Sequence, residues 1–126
     1  MLATLSSVAI GGALGASARY LVNVGATRVM GHGFPHGTLV ANVLGSFLMG
    51  VLVVVLARKG GQAYAPFLMT GLLGGFTTFS AFSLDTITLF ERGETGLAGL
   101  YIGLSVTLSL GAIALGILAT RWVMLP

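Results

Sequence analysis

The residues able to do chemistry in this chain are few, and most of them gather in one run. Gly74-Gly75-Phe76-Thr77-Thr78-Phe79-Ser80-Ala81-Phe82-Ser83 places two glycines, four hydroxyls and three rings near the middle of a long apolar stretch. A Gly-Gly pair weakens a helix by about 1 kcal/mol per residue relative to alanine. A helix interrupted at membrane depth must bury its freed carbonyls in protein or turn them into a cavity, where they are ligands for a cation. The same spacing also suits an unbroken helix whose hydroxyls bond back to carbonyls one turn earlier.

Phe79 and Phe82 are three apart and share a helix face. Aromatic rings carry an electropositive edge, which in a dry passage can face an anion without a full charge. Thr78 and Ser80 lie beside them, and Asn42 sits in the middle of a second apolar stretch. An amide at that depth is costly unless bonded, and it offers two donors. Tyr101, Ser105 and Ser109 recur every four residues, so their hydroxyls form one line that could step a partly dehydrated ion along, or bond to neighbouring helices. Arg19 is the one basic residue placed inside the apolar slab. It could concentrate anions at a pore mouth, or pair structurally with a carboxylate or with carbonyl ends.

The elements that must hold these groups follow from charge. Of 126 residues 56% are hydrophobic and 7% charged, against about 25% charge in an average soluble domain. Uncharged runs cover 1–18, 29–57, 60–84 and 95–120, and a helix crossing a ~30 Å hydrocarbon core needs about 20 apolar residues. Apolar character resumes after Arg19 and continues to Arg28. The expectation is an all-α membrane protein, one four-helix domain over 1–126, with spans at 4–27, Thr38 to Ala57, Ala65 to Phe90 and Thr95 to Trp122. The loop Gly31-His32-Gly33-Phe34-Pro35-His36-Gly37 joins the first two. Ala16-Ser17-Ala18 has the small-x-small form of a leader-peptidase site, but no Lys or Arg precedes the apolar run, so 2–18 is expected to be a span.

Soluble chemistry is excluded early. With no cysteine there is neither a disulfide framework nor a thiolate metal site. Six basic residues against three acidic ones are too few for a nucleic-acid patch. No Lys follows the glycines of Gly71–Gly75 to touch a phosphate. His32 and His36, with Pro35 between them, do not hold helical ligand spacing. The carboxylates Asp85, Glu91 and Glu94 form no acid/base pair, so no enzyme is expected.

Orientation in a membrane follows the Lys/Arg bias of the loops. Arg58, Lys59 and Arg121 lie on the side of the termini, Arg28 and Arg92 on the other, with Arg19 within snorkelling reach. Such a near balance is compatible with insertion both ways up, or with one orientation set by Arg58-Lys59. Small-xxx-small steps occur in every span, among them Gly11/Gly15, Ala41/Gly45, Ser46/Gly50, Gly71/Gly75, Gly99/Gly103 and Ala112/Gly116, the pattern by which helices approach closely in lipid.

Over nearly its full length the chain resembles the CrcB/Fluc fluoride channels. The resemblance rests on Gly11-Gly12 with Gly15-Ala16 and Arg19-Tyr20, on Gly37-Thr38-Leu39 with Asn42 and Gly45, and above all on Gly74 to Ser83. It implies a break in helix 3 and an antiparallel, dual-topology homodimer with two fluoride pores in a bacterial plasma or inner membrane. Phe79 and Phe82 correspond to that family's phenylalanine box, Asn42 to the polar residue at the pore, and Tyr101, Ser105 and Ser109 to its polar track. The carbonyls of Gly74 and Thr77 from each copy correspond to the ligands of a central structural sodium ion. The sequence departs from the track at Ile113, which follows in phase and carries no hydroxyl. The implied activity is passive fluoride export. A small multidrug exporter would need an acidic residue within helix 1, and 1–18 holds none. A non-conducting structural subunit would share the glycine faces but gives no reason for the Thr/Phe/Ser cluster.

Overall fold

The computed structural model describes residues 1–125. Four long apolar segments account for nearly all of it: α1 (Leu2–Met30), α2 (His36–Lys59), a third span over Gln62–Glu91, and α5 (Thr95–Val123). Each is long and apolar enough to cross a membrane, and the chain is a multi-pass membrane protein. Helix 2 begins at His36, two residues before the expected Thr38, because Pro35 ends the loop and its fixed φ suits a helix start.

The third span is not one regular helix. A short 3₁₀ turn at Gln62–Tyr64 leads into a π-helical segment, Pro66–Leu73, which passes directly into a single α-turn, α3 (Gly74–Phe76). Thr77 (φ −93°, ψ 158°) and Thr78 (φ −156°, ψ 126°) are extended, and α4 (Phe79–Glu91) follows. Neither the π geometry nor its extent was legible in the periodicity, since apolar residues cover every face of 66–73.

Packing divides the molecule into two tight pairs. α1 lies along the Pro66–Phe76 limb, and α2 lies along α5, while α4 rests more lightly on α5. Backbones touch in both pairs. A Cβ on Gly11 would stand 2.5 Å from the Phe67 carbonyl, and one on Gly75 2.6 Å from that of Gly12. Gly15 meets the Leu72 carbonyl in the same way. Between α2 and α5, Gly50 meets the Ile113 carbonyl and Gly116 meets that of Phe47. These are the contacts that small residues make possible where lipid offers no hydrophobic drive. Gly99 and Gly103 differ: nothing lies within 4 Å of a Cβ at either, nor at Gly96 or Gly111, so that face of α5 is unpartnered in the single chain.

The ends are organised by short bonds. Arg58 Nη1 donates to the Met124 carbonyl at 3.0 Å, which brings the end of α2 and the end of α5 to one side. At the other side Leu89, Ala98 and Tyr101 form a small core under Phe34, Leu39 and Phe82, and Gly93 turns the chain with φ 78°.

The glycine contacts generate a test. Gly15→Val should destabilise the detergent-solubilised protein by about 1–3 kcal/mol, because its side chain meets backbone that cannot move aside. Gly25→Ala, where a Cβ has nothing within 4 Å, should be neutral or stabilising by up to about 1 kcal/mol. Denaturant unfolding of the two variants beside the parent chain measures both.

Candidate functional site

The site is built around the interruption of the third span. Where the chain extends at Thr77 and Thr78, the helical hydrogen-bond ladder must be rerouted. Asn42 of α2 takes up both polar groups of Thr78: its Oδ1 accepts from the Thr78 N–H at 2.8 Å, and its Nδ2 donates to the Thr78 carbonyl at 3.0 Å. The Thr78 hydroxyl then caps α4 by accepting from the Ala81 N–H at 3.1 Å. Ser80 Oγ lies 3.2 Å from the same hydroxyl. Because that oxygen accepts from Ala81, its proton remains to be donated.

The rerouting has a consequence one turn back. In a continuous helix the Thr78 N–H would go to the Gly74 carbonyl and the Ala81 N–H to that of Thr77. Both donors are spent elsewhere, so these two carbonyls are deprived of their helical partners. The Gly75 carbonyl receives instead Arg19 Nε, at 3.2 Å. Arg19 thus bonds to the backbone of the interrupted span. Thr77 turns its hydroxyl to the Leu73 carbonyl at 3.0 Å, and its methyl closes on Gly45.

A groove opens between α2, α4 and α5. Asn42, Thr78, Phe79, Phe82, Ser105 and Ser109 all line it, together with Gly45, Ser46, Met49, Thr77, Val106, Leu110 and Ile113. No charged side chain is among them. The rings of Phe79 and Phe82 lie 5.4 Å apart, tilted by 45°. Phe79 is 78% exposed, so one wall of the groove is open in the single chain. Ser105 is buried, and its hydroxyl has no hydrogen-bond partner. A buried polar group left unpaired costs roughly 1–3 kcal/mol.

Two residues expected along the pore, Ser80 and Tyr101, lie outside the lining of the groove. Tyr101 is fully buried beside Phe82, with ring centres 5.2 Å apart, and its hydroxyl donates to Asp85 Oδ2 at 3.0 Å. Ile113, without a hydroxyl, lines the apolar end of the groove. Ser46 was missed as a site residue. It had been read only as half of a packing step, although it stands one helical turn from Asn42, the same four-residue interval that marks the α5 line. The partnership of Asp85 with Tyr101 carries no local signal, since the two are 16 residues apart on different helices.

Chemically, the arrangement offers hydroxyl and amide protons with ring faces and edges, and no fixed charge. That set suits a small anion that must shed water without being trapped. It holds no nucleophile with a base and, among the described residues, no cluster of side chains able to hold a metal ion.

Comparison with known proteins is consistent over almost the whole length. Residues 6–117 match the family model described as CrcB-like protein, Camphor Resistance (CrcB). The chain is 67% identical over 121 residues to a protein of Cereibacter sphaeroides named fluoride-specific ion channel FluC, covering 96% of this chain and 97% of that one. Proteins of the same name from a Ruegeria species (60% identical, 98% of this chain and 99% of the relative) and from Paracoccus denitrificans (56%, 94% of each) are similar in the same way.

The double bond from Asn42 predicts its own loss. Asn42→Ala removes two interhelical hydrogen bonds, worth about 0.6 kcal/mol each on average within membranes, and strands the Thr78 peptide. The expected cost is about 1–3 kcal/mol, with faster amide hydrogen exchange at Thr78 and Ala81 before that of α2 or α5.

Proposed function

The chain belongs to the CrcB-like family, and on that premise we propose that it is a fluoride-selective channel that lets the ion leave the cell passively. The single observation that carries this assignment is the uncharged groove in which the buried Ser105 hydroxyl has no partner beside Asn42, Phe79 and Phe82. Fluoride is small and strongly hydrated, so a passage for it must replace water with close donors while leaving the ion free to go. Hydroxyl protons of Thr78, Ser80, Ser105 and Ser109, the second N–H of Asn42 and the ring edges of Phe79 and Phe82 supply such donors along one wall. A fixed cation in the groove would bind too tightly to release.

No energy source is needed. An acidic exterior lets the neutral weak acid HF enter and ionise within, and the membrane potential, about 2.3 kcal/mol per charge per 100 mV, then drives the anion outward. The membrane is the bacterial plasma or inner membrane.

The channel works as a homodimer of opposed copies with two pores. Three features support this: the open wall at Phe79, the unpartnered glycine row of α5, and the near balance of basic residues between the two ends. A second copy would close the groove and cover the row. Tyr101 belongs to the polar line through its contact with Phe82, and Arg19 acts on the vestibule side by holding the interrupted helix.

A sodium ion fits between the copies. The Gly74 and Thr77 carbonyls have lost their helical donors, Gly74 is exposed in the single chain, and neutral oxygens are the donor type that hard cations take. These two residues from each copy would hold it. When bound, the ion supplies a positive charge that ties the carbonyls of both interrupted helices together.

Vesicles loaded with fluoride and carrying the purified protein should empty, and chloride-loaded vesicles should not. Equal release of both ions, or of neither, overturns the channel assignment. Phe79→Ile or Phe82→Ile should cut fluoride flux at least about tenfold with the dimer still assembled on size exclusion; unchanged flux in both removes the rings from the pathway. A reporter fused to the C-terminus should be found on both sides of the membrane in comparable amounts, whereas a reporter on one side alone overturns the opposed arrangement.

A further inference from the structure

Beyond Phe82 the groove meets a packed row of rings. The Tyr101 ring lies against Phe82, Phe34 meets Tyr101 edge-on with centres 5.5 Å apart, and His36 rests on Phe34 at 5.0 Å. This row of rings leads from the uncharged groove to a second cavity of about 230 Å³, whose lining includes Asn23, His32, His36, Asp85, Thr88 and Arg92. Its character is the reverse of the groove's, because it is dominated by polar and titratable groups.

The charges that face this mouth come from every element around it. Asp85 of α4 accepts the Tyr101 hydroxyl of α5. Arg92, at the end of α4, lines the cavity and stands 4.0 Å from Glu94. Arg28 of α1 shares an adjoining hollow with Asn23 and His32. Asp85 and Arg92, the charged side chains of the lining, offset one another, as do Arg28 and Glu94 outside it, so the sign of the mouth is decided by His32 and His36. The first turn of α2 also opens here with no side chain capping it; the His36 N–H is taken by the Phe34 carbonyl, and those of Gly37 and Thr38 add a partial positive charge.

We propose that this mouth is a staging site for fluoride whose occupancy is set by protonation of His32 and His36. The proposal rests on the channel assignment above. Histidine is the side chain whose charge ordinarily changes between about pH 5 and pH 8. As pH falls, each imidazole that gains a proton makes the mouth more positive, and a low-dielectric cleft of one sign raises the local concentration of the opposite ion. In opposed copies one such mouth faces each side. Acidification of the compartment that a mouth faces would then raise the supply of fluoride to the pore from that side.

The test uses the full chain in vesicles with equal pH on both sides, equal free fluoride, and the leak of protein-free vesicles subtracted. Efflux should rise at least about threefold from about pH 8 to about pH 6. His32→Gln with His36→Gln should abolish the rise. His32→Arg with His36→Arg should also flatten the profile, at the higher level. A flat profile in the parent chain, or a rise retained by the glutamine pair and so due to Asp85, overturns this proposal and leaves the channel assignment standing. No fluoride release by the parent chain at either pH overturns both. A binding readout is independent of flux: fluoride should move the ring resonances of His32 and His36 at about pH 6 and not at about pH 8, and resonances unmoved at both overturn the staging site.

Discussion

Everything distinctive in this molecule depends on one side chain holding one residue's backbone. Asn42 accepts from the N–H of Thr78 and donates to its carbonyl. At membrane depth each unsatisfied backbone group costs several kcal/mol, so two extended residues in the middle of a span persist only if another helix supplies both a donor and an acceptor. Once that is done, the other displacements follow by bookkeeping of donors. Thr78 is free to cap α4, the Gly74 and Thr77 carbonyls lose their partners, and Gly75 is left for Arg19.

The two packed pairs make this arrangement rigid. α1 approaches the Pro66–Phe76 limb at backbone contact through Gly11, Gly15 and Gly75, and α2 approaches α5 through Gly50 and Gly116. The first pair fixes one side of the interruption and carries Arg19 to it. The second pair fixes Asn42 relative to Ser105 and Ser109. The groove between them is therefore defined by two stiff units rather than by a loop.

Charge is distributed with a division of labour. The groove has none, and its polar groups are hydroxyls and an amide set among rings. The cavity beyond Tyr101 gathers Asp85, Arg92, His32 and His36. Tyr101 stands between the two zones, its ring against Phe82 and its hydroxyl on Asp85.

The number of spans, their approximate ends, and the pairing of Phe79 with Phe82 and of Ser105 with Ser109 were legible in the sequence. Each depends on local quantities: the length of uncharged runs, and the intervals of three and four that put Phe79 with Phe82 and Ser105 with Ser109 on one face. Spacing left open whether Gly74 to Ser83 forms a broken or a continuous helix, and whether Arg19 faces a pore or a carbonyl. It gave no sign of the π-helical entry at Pro66–Leu73, of Ser46 in the groove, or of Tyr101 on Asp85. Only the tertiary structure decided these. A backbone group's fate depends on which donor reaches it, and for Thr78 that donor comes from Asn42, 36 residues away on another helix. Periodicity determines what shares a face within one helix, and the packing of separate helices determines what that face meets.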